Sequence, residues 1–145
     1  VLFERINEKE KKKALRSAIA DTAYGNLVKA VNKVDIQFPI IIEDGFEEVK
    51  KTKDVMSILG KIKIDTDVDR VKRGRKARTS RKGGVKTPRS ILIVVSGQKP
   101  LLKAAHNIPG VDVAKVDEVK VSQLAPGGRP GRLTIWSVSA LKKLQ

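Results

Sequence analysis

The chain has 145 residues, about 40% of them hydrophobic, enough to bury one sizeable core and to fit a single domain spanning 1–145. A formal charge of +15 calls for an anionic partner, while zero cysteines and one histidine exclude disulfides, thiolate metal sites, cysteine nucleophiles and His-rich clusters. No apolar run approaches a membrane span and VLFERINEKEKKK lacks the features of a secretory signal, so an intracellular, soluble setting is expected; Val at position 1 reads as a piece of something longer.

Asn7 followed by Glu10 is a helix-start capping pair, and Leu15, Ala18, Ile19 and Thr22 recur at helical spacing, predicting an amphipathic helix over 8–22. Its other face carries Lys11, Lys12, Lys13 and Arg16, and Gly25 and Asn26 read as stop signals. FPIII, bounded by Pro39 and the Asp44-Gly45 turn, is too short for a helix and rich in β-branched residues, so it is predicted as a buried strand. A helix follows with Thr52 as its cap and Val55, Met56, Leu59 and Ile62 on one face, fading at Gly60 and the polar IDTDVD.

Beyond a basic segment come the strand ILIVV (91–95), a helix through Leu101, Leu102, Ala105 and Ile108, and the strand VDVAKV (111–116). A polar turn near Ser122 leads to LAPGGRPGR, the strand LTIW (133–136) and a closing helix from about Ser137 or Ser139. Helices alternating with continuously apolar strands predict an α/β fold: a mostly parallel sheet covered by helices on both faces.

The basic segment, RVKRGRKARTSRKGGVKTPR at 70–89, holds ten Lys or Arg in twenty positions and no carboxylate. Without it, the net charge over the other 125 residues falls to +5. Its glycines (Gly74, Gly83, Gly84) and lack of apolar periodicity read as a flexible basic loop whose Arg forks and Lys point charges follow a phosphate backbone by shape rather than by base. A merely solvated loop fits poorly, since surfaces normally intersperse both signs and no Asp or Glu occurs between Asp69 and Asp112. Membrane binding lacks apolar anchors, and 3% aromatics argue against base stacking.

Other motifs are weaker. DTDVD (Asp65, Asp67, Asp69) opens like a calcium loop but has Arg70 where glycine and Lys76 where glutamate belong, so it reads as an acidic turn before the basic loop. LAPGGRPGR lacks the Gly-Lys-Ser/Thr and the strand-loop-helix order of a nucleotide loop. Gly127, Gly128 and Gly131 serve positive φ or close approach there, with Arg129 and Arg132 projecting either as plain turn residues or toward RNA. Ser96-Gly97 and Asp44 lie at the carboxyl ends of strands, where α/β enzymes bind ligands, without a visible partner. His106 reads as a helix-terminal cation.

Three stretches, INEKEKKKALRSAIADTA, HNIPGVDV and LAPGGRPGRLTIWSVSAL, together resemble the large-subunit ribosomal protein L4 family in its archaeal and eukaryotic branch, over about Arg5 to Leu144. The resemblance implies a non-catalytic binder of large-subunit ribosomal RNA, cytoplasmic within that subunit, contacting neighbouring ribosomal proteins. It implies no cofactor, metal, membrane or small-molecule substrate. It also implies that the family's tunnel-reaching arm belongs to an N-terminal portion outside this chain. RKGGVKTPRS matches the end of a second basic loop of the family at Arg81, Lys86, Pro88 and Ser90, with Arg89 for Lys. Gly83, Gly84 and Val85 replace two cations and a tyrosine, and His106 replaces an Arg.

The RNA-contact residues expected are therefore Lys11, Lys12, Lys13, Arg16, Lys72, Arg73, Arg75, Lys76, Arg78, Arg81, Lys82, Lys86, Arg89, Arg129 and Arg132. The competing classes are an α/β enzyme acting on RNA or nucleotides, which needs a base or metal site that is not displayed, and a DNA-binding architectural protein.

Overall fold

Helix α1 (Glu8–Asp21) starts where the capping pair predicts: Asn7 Oδ1 accepts from the Lys9 N–H and Glu10 reaches back to the Asn7 N–H, each at 3.4 Å. This computed structural model describes residues 6–32, 34, 36–73, 76–77, 85–86 and 88–144, with the backbone alone at 72–73, 76–77 and 85–86. Gly25 begins a second helix, α2 (Gly25–Asn32), where a stop was expected. Its buried Val28 and the Asn32 amide, which donates to the Gly131 carbonyl at 2.8 Å, hold it to a distant loop.

Strand β1 (Ile40–Ile42) precedes a 3₁₀ turn at Asp44–Glu48, and α3 (Thr52–Lys61) follows, with Lys51 rather than Thr52 in the cap position. The acidic stretch expected as a turn is the start of helix α4 (Asp65–Arg73). Asp65 and Asp67 suit the positive end of that helix, and Val68 and Val71 are fully buried beneath it.

The backbone then forms a short antiparallel pair, β2 (Lys76–Ala77) with β3 (Val85–Lys86), in which Lys76 stands opposite Lys86. The remaining elements are β4 (Leu92–Val95), α5 (Leu101–His106), β5 (Asp112–Lys115), α6 (Val121–Leu124), β6 (Thr134–Ser137) and α7 (Val138–Leu144), with 3₁₀ turns at Val116–Glu118 and Pro126–Gly128.

Strands β1, β6, β4 and β5 lie in that order, all parallel, with Leu92 level with both Thr134 and Asp112. Alternation along the central strands separates two cores. Ile91, Ile93, Val95, Leu133 and Ile135 pack with Val28, Val55, Leu59, Val68 and Leu101, so α2 to α5 cover one face. Leu92, Val94 and Trp136 pack with Ala18, Leu124 and Ala140, so α1, α6 and α7 cover the other. Burial on both sides is why these strands read as unbroken apolar runs.

Candidate nucleic-acid interface

At the amino ends of the strands, the two roots of the basic segment are fastened into the fold. The segment leaves through α4 and returns at Pro88, just before β4. Asp67 of α4 is 2% exposed, and its carboxylate accepts the Arg70 Nε–H at 2.8 Å and the Ser90 hydroxyl. The Ser90 N–H donates to the Gly110 carbonyl at 2.8 Å, and Arg89 Nη1 donates to the Ser122 carbonyl at 2.9 Å. Gly110 has φ +80, and a Cβ there would lie 2.8 Å from Val71 and 2.9 Å from the Pro88 carbonyl. Glycine is required where the loop before β5 presses on both roots.

Arg132 does not project from the glycine turn. Only 4% exposed, it spans the strand ends: Nε donates to the Ser90 carbonyl at 2.9 Å, Nη1 to Gln123 at 2.7 Å, and Nη2 to Ile91 at 3.2 Å and to Asp112 at 2.6 Å. Burial lowers the guanidinium's pKa, the Asp112 hydrogen bond and charge raise it, and the charge of Arg89 lowers it again. A buried fork whose three nitrogens all donate to protein acceptors locks the root rather than meeting a ligand. Arg129, three residues earlier, is exposed as expected.

Lys11, Lys12, Lys13 and Arg16 are all exposed on α1. Lys11 and Lys120 line one groove over Leu15 and Val119, while Lys12 and Arg16 flank another with Ile19. Helix α6 packs on α1 and carries the carbonyl that holds Arg89, so it links the α1 cations to the returning root. Lys120 escaped the sequence reading because a lone lysine in VKVSQL carries no local signal. Arg75, Arg78, Arg81 and Lys82 lie outside the described residues, and for Lys72, Arg73, Lys76 and Lys86 only backbone positions are described.

The carboxyl ends of the strands, where an α/β enzyme would bind its substrate, are closed by the protein itself. Glu47 is 1% exposed, and its oxygens accept the Ser96 N–H and hydroxyl, each at 2.7 Å, and the Ser137 hydroxyl at 2.5 Å, with Lys99 Nζ at 3.8 Å. Burial pushes the carboxyl's pKa up, but the Ser137 and Ser96 hydrogen bonds and Lys99 outweigh it, leaving it below its ordinary value. Lys143 Nζ donates to the Ser96 carbonyl. Asp44 accepts the Ser139 N–H at 2.8 Å at the start of α7, and hydrogen bonds from Ser139 lower its pKa.

Ser96 and Asp44 thus do have partners, supplied by segments remote in sequence. The Ser96 and Ser137 hydroxyls both donate to Glu47, so among the described residues their protons are committed to a buried carboxylate. Among the described residues no helix is long and apolar enough to cross a membrane.

Comparison with known proteins places the sequence in a family. Residues 2–145 match the model of the ribosomal protein L4/L1 family. The large ribosomal subunit protein uL4 of Methanocaldococcus jannaschii is 47% identical over 152 residues, covering 100% of this chain and 60% of that protein. Those of Pyrobaculum aerophilum (42%, 99% of this chain, 54% of that protein) and Halobacterium salinarum (39%, 96% and 58%) are similar. This chain spans about 60% of the length of such relatives. With a match over nearly every residue, the chain belongs to the ribosomal protein L4/L1 family.

Proposed function

We propose that this chain is an RNA-anchoring domain of the large ribosomal subunit, a cytoplasmic structural constituent that binds ribosomal RNA and aids subunit assembly and translation without catalysis. Family membership supports the reading, and one observation carries it: ten cations without a carboxylate, in a segment whose two roots are joined by a buried hydrogen-bond network. Where several RNA helices converge, their phosphates repel one another, and a cationic segment offsets that repulsion. Fixing both roots lowers the entropic cost of presenting those cations.

The α1 cations, with Lys120, form a second surface of the same sign, and Arg129 adds an exposed charge at the glycine turn. Arg132 serves the interface indirectly by holding the root. Neighbouring ribosomal proteins are the other expected partners, and neither a membrane nor a small-molecule substrate has a part in this function.

Co-sedimentation tests the reading. The intact protein is expected to remain with large ribosomal subunits through a high-salt cushion, as a component buried among RNA helices would. Release at moderate salt, or equal affinity for duplex DNA of the same length, would refute it.

A further inference from the structure

Beside the returning root lies a cleft of about 420 Å³, with Pro88 and Arg89 on one side and His106, Asn107, Pro109 and Gly110 on the other. Its size falls within the roughly 300 to 1,000 Å³ of small-ligand sites, so it admits a nucleotide-sized group rather than only a bare ion. The walls are held together by the Ser90 N–H bond to the Gly110 carbonyl and by the close fit of Gly110 to Val71 and Pro88. The cleft is therefore built into the fold and does not have to open.

Its charge is also arranged. Arg89 is exposed, and its bond to the Ser122 carbonyl uses one of five N–H groups. Among the described residues it has no carboxylate partner. The carboxylate on the lining, Asp112, is already neutralised by Arg132 at 2.6 Å. His106 and Asn107 are exposed, and their side chains have no hydrogen-bond partner among the described residues. The cleft thus offers an anchored guanidinium fork, an imidazole and an amide to an incoming group.

We propose that this cleft is a nucleotide subsite: it takes one phosphodiester unit of the RNA held by the basic segment, with Arg89 on the phosphate and His106 and Asn107 hydrogen-bonding beside it. The fork matches two phosphate oxygens, and the proline rings supply apolar surface for the sugar. This inference rests on the RNA reading above and extends it to a defined place at the root.

His106 is the protein's single histidine, so its imidazole gives one unambiguous set of NMR resonances. The intact ¹⁵N-labelled chain is titrated at fixed pH with a short RNA hairpin and, separately, with inorganic phosphate. The hairpin is expected to shift the imidazole resonances at concentrations where phosphate does not. Arg89→Ala removes most of that shift and makes the salt dependence of RNA binding shallower by roughly 0.7 to 0.9, one contact's worth, while Arg89→Lys restores the slope but not the full shift.

An imidazole left unmoved by RNA that still binds the chain overturns the subsite and leaves the RNA reading standing. A shift reproduced by phosphate alone likewise overturns it, since a bare anion site would suffice. Failure of the chain to bind RNA at all overturns both.

Discussion

The Asp67 carboxylate accepts the Ser90 hydroxyl, with both residues buried, and so joins α4 to the strand that follows across the whole basic segment. Removing either partner leaves a buried polar group unsatisfied. Asp67→Ala and Ser90→Ala are each expected to cost roughly 1 to 3 kcal/mol in chemical denaturation. Their effects should be non-additive in a double-mutant cycle, with coupling of at least about 0.5 kcal/mol. Strict additivity would show that the two groups do not act as a pair. Arg70→Ala, although its side chain is 48% exposed, removes the charged donor from a fully buried carboxylate and should also cost roughly 1 to 3 kcal/mol.

Arg132 and Arg129 stand three residues apart and are expected to behave oppositely. Arg132→Ala strips charged donors from three carbonyls and from Asp112, although Asp112 is 39% exposed and regains water. A loss of roughly 2 to 3 kcal/mol follows. Arg129→Ala should stay within about 0.5 kcal/mol of the parent protein while weakening RNA binding. Thermal melts and RNA titrations on the two variants separate structure from contact, and a reversal would exchange their roles.

The glycine turn is strict at one position and looser at another. Gly131 has φ +96, and a Cβ there would lie 2.8 Å from the Leu27 carbonyl oxygen, whereas at Gly128, φ +75, it would meet nothing within 4 Å. Gly128→Ala therefore carries only the left-handed backbone penalty, roughly 1 to 2 kcal/mol. Gly131→Ala adds a clash with the α2 backbone and should cost more. Equal melting temperatures for the two variants would contradict the close approach.

Acid sensitivity should trace in part to Glu47. Its folded pKa lies below the ordinary 4.5, so the stability it contributes is complete above that value and is lost as the pH falls through the lower folded value. Asp44, lowered by Ser139, acts in the same direction from an exposed position. Glu47→Gln should lower stability at neutral pH and flatten the decline below about pH 4.5. Denaturation midpoints across that range measure it, and parallel acid limbs for the two proteins would rule Glu47 out.

Features governed by neighbours in the chain were legible in the sequence. Asn7 and Glu10 form the cap of α1, and the apolar runs ILIVV and LTIW lie in the buried strands β4 and β6. Features made by distant segments were not. Gly25 and Asn26 look like a helix end, yet α2 is held by the buried Val28 and by the Asn32 amide bond to the Gly131 carbonyl. Asp65 to Asp69 read as a turn because only Val68 and Val71 mark the buried side of α4. Glu47 and Arg132 look like surface charges until Ser90 and Ser96, on either side of β4, and Ser137 of β6 converge on them.

If, as proposed, the basic segment binds RNA while the sheet and its helices carry the folding, the two roles should separate by mutation. Replacing Arg73, Arg75, Lys76, Arg78, Arg81 and Lys82 with Gln removes six cations from a segment with none of the strands' apolar surface. The variant is expected to melt at the parent's temperature or slightly above it, because like-charge repulsion is relieved. The most direct measurement is the salt dependence of its affinity for large-subunit ribosomal RNA. The slope of log K against log salt should become shallower by roughly 4 to 5, at about 0.7 to 0.9 per phosphate contact. An unaltered slope, or a variant that no longer folds, would contradict the claim and place the RNA contacts elsewhere, first on Lys11, Lys12, Lys13 and Arg16 of α1.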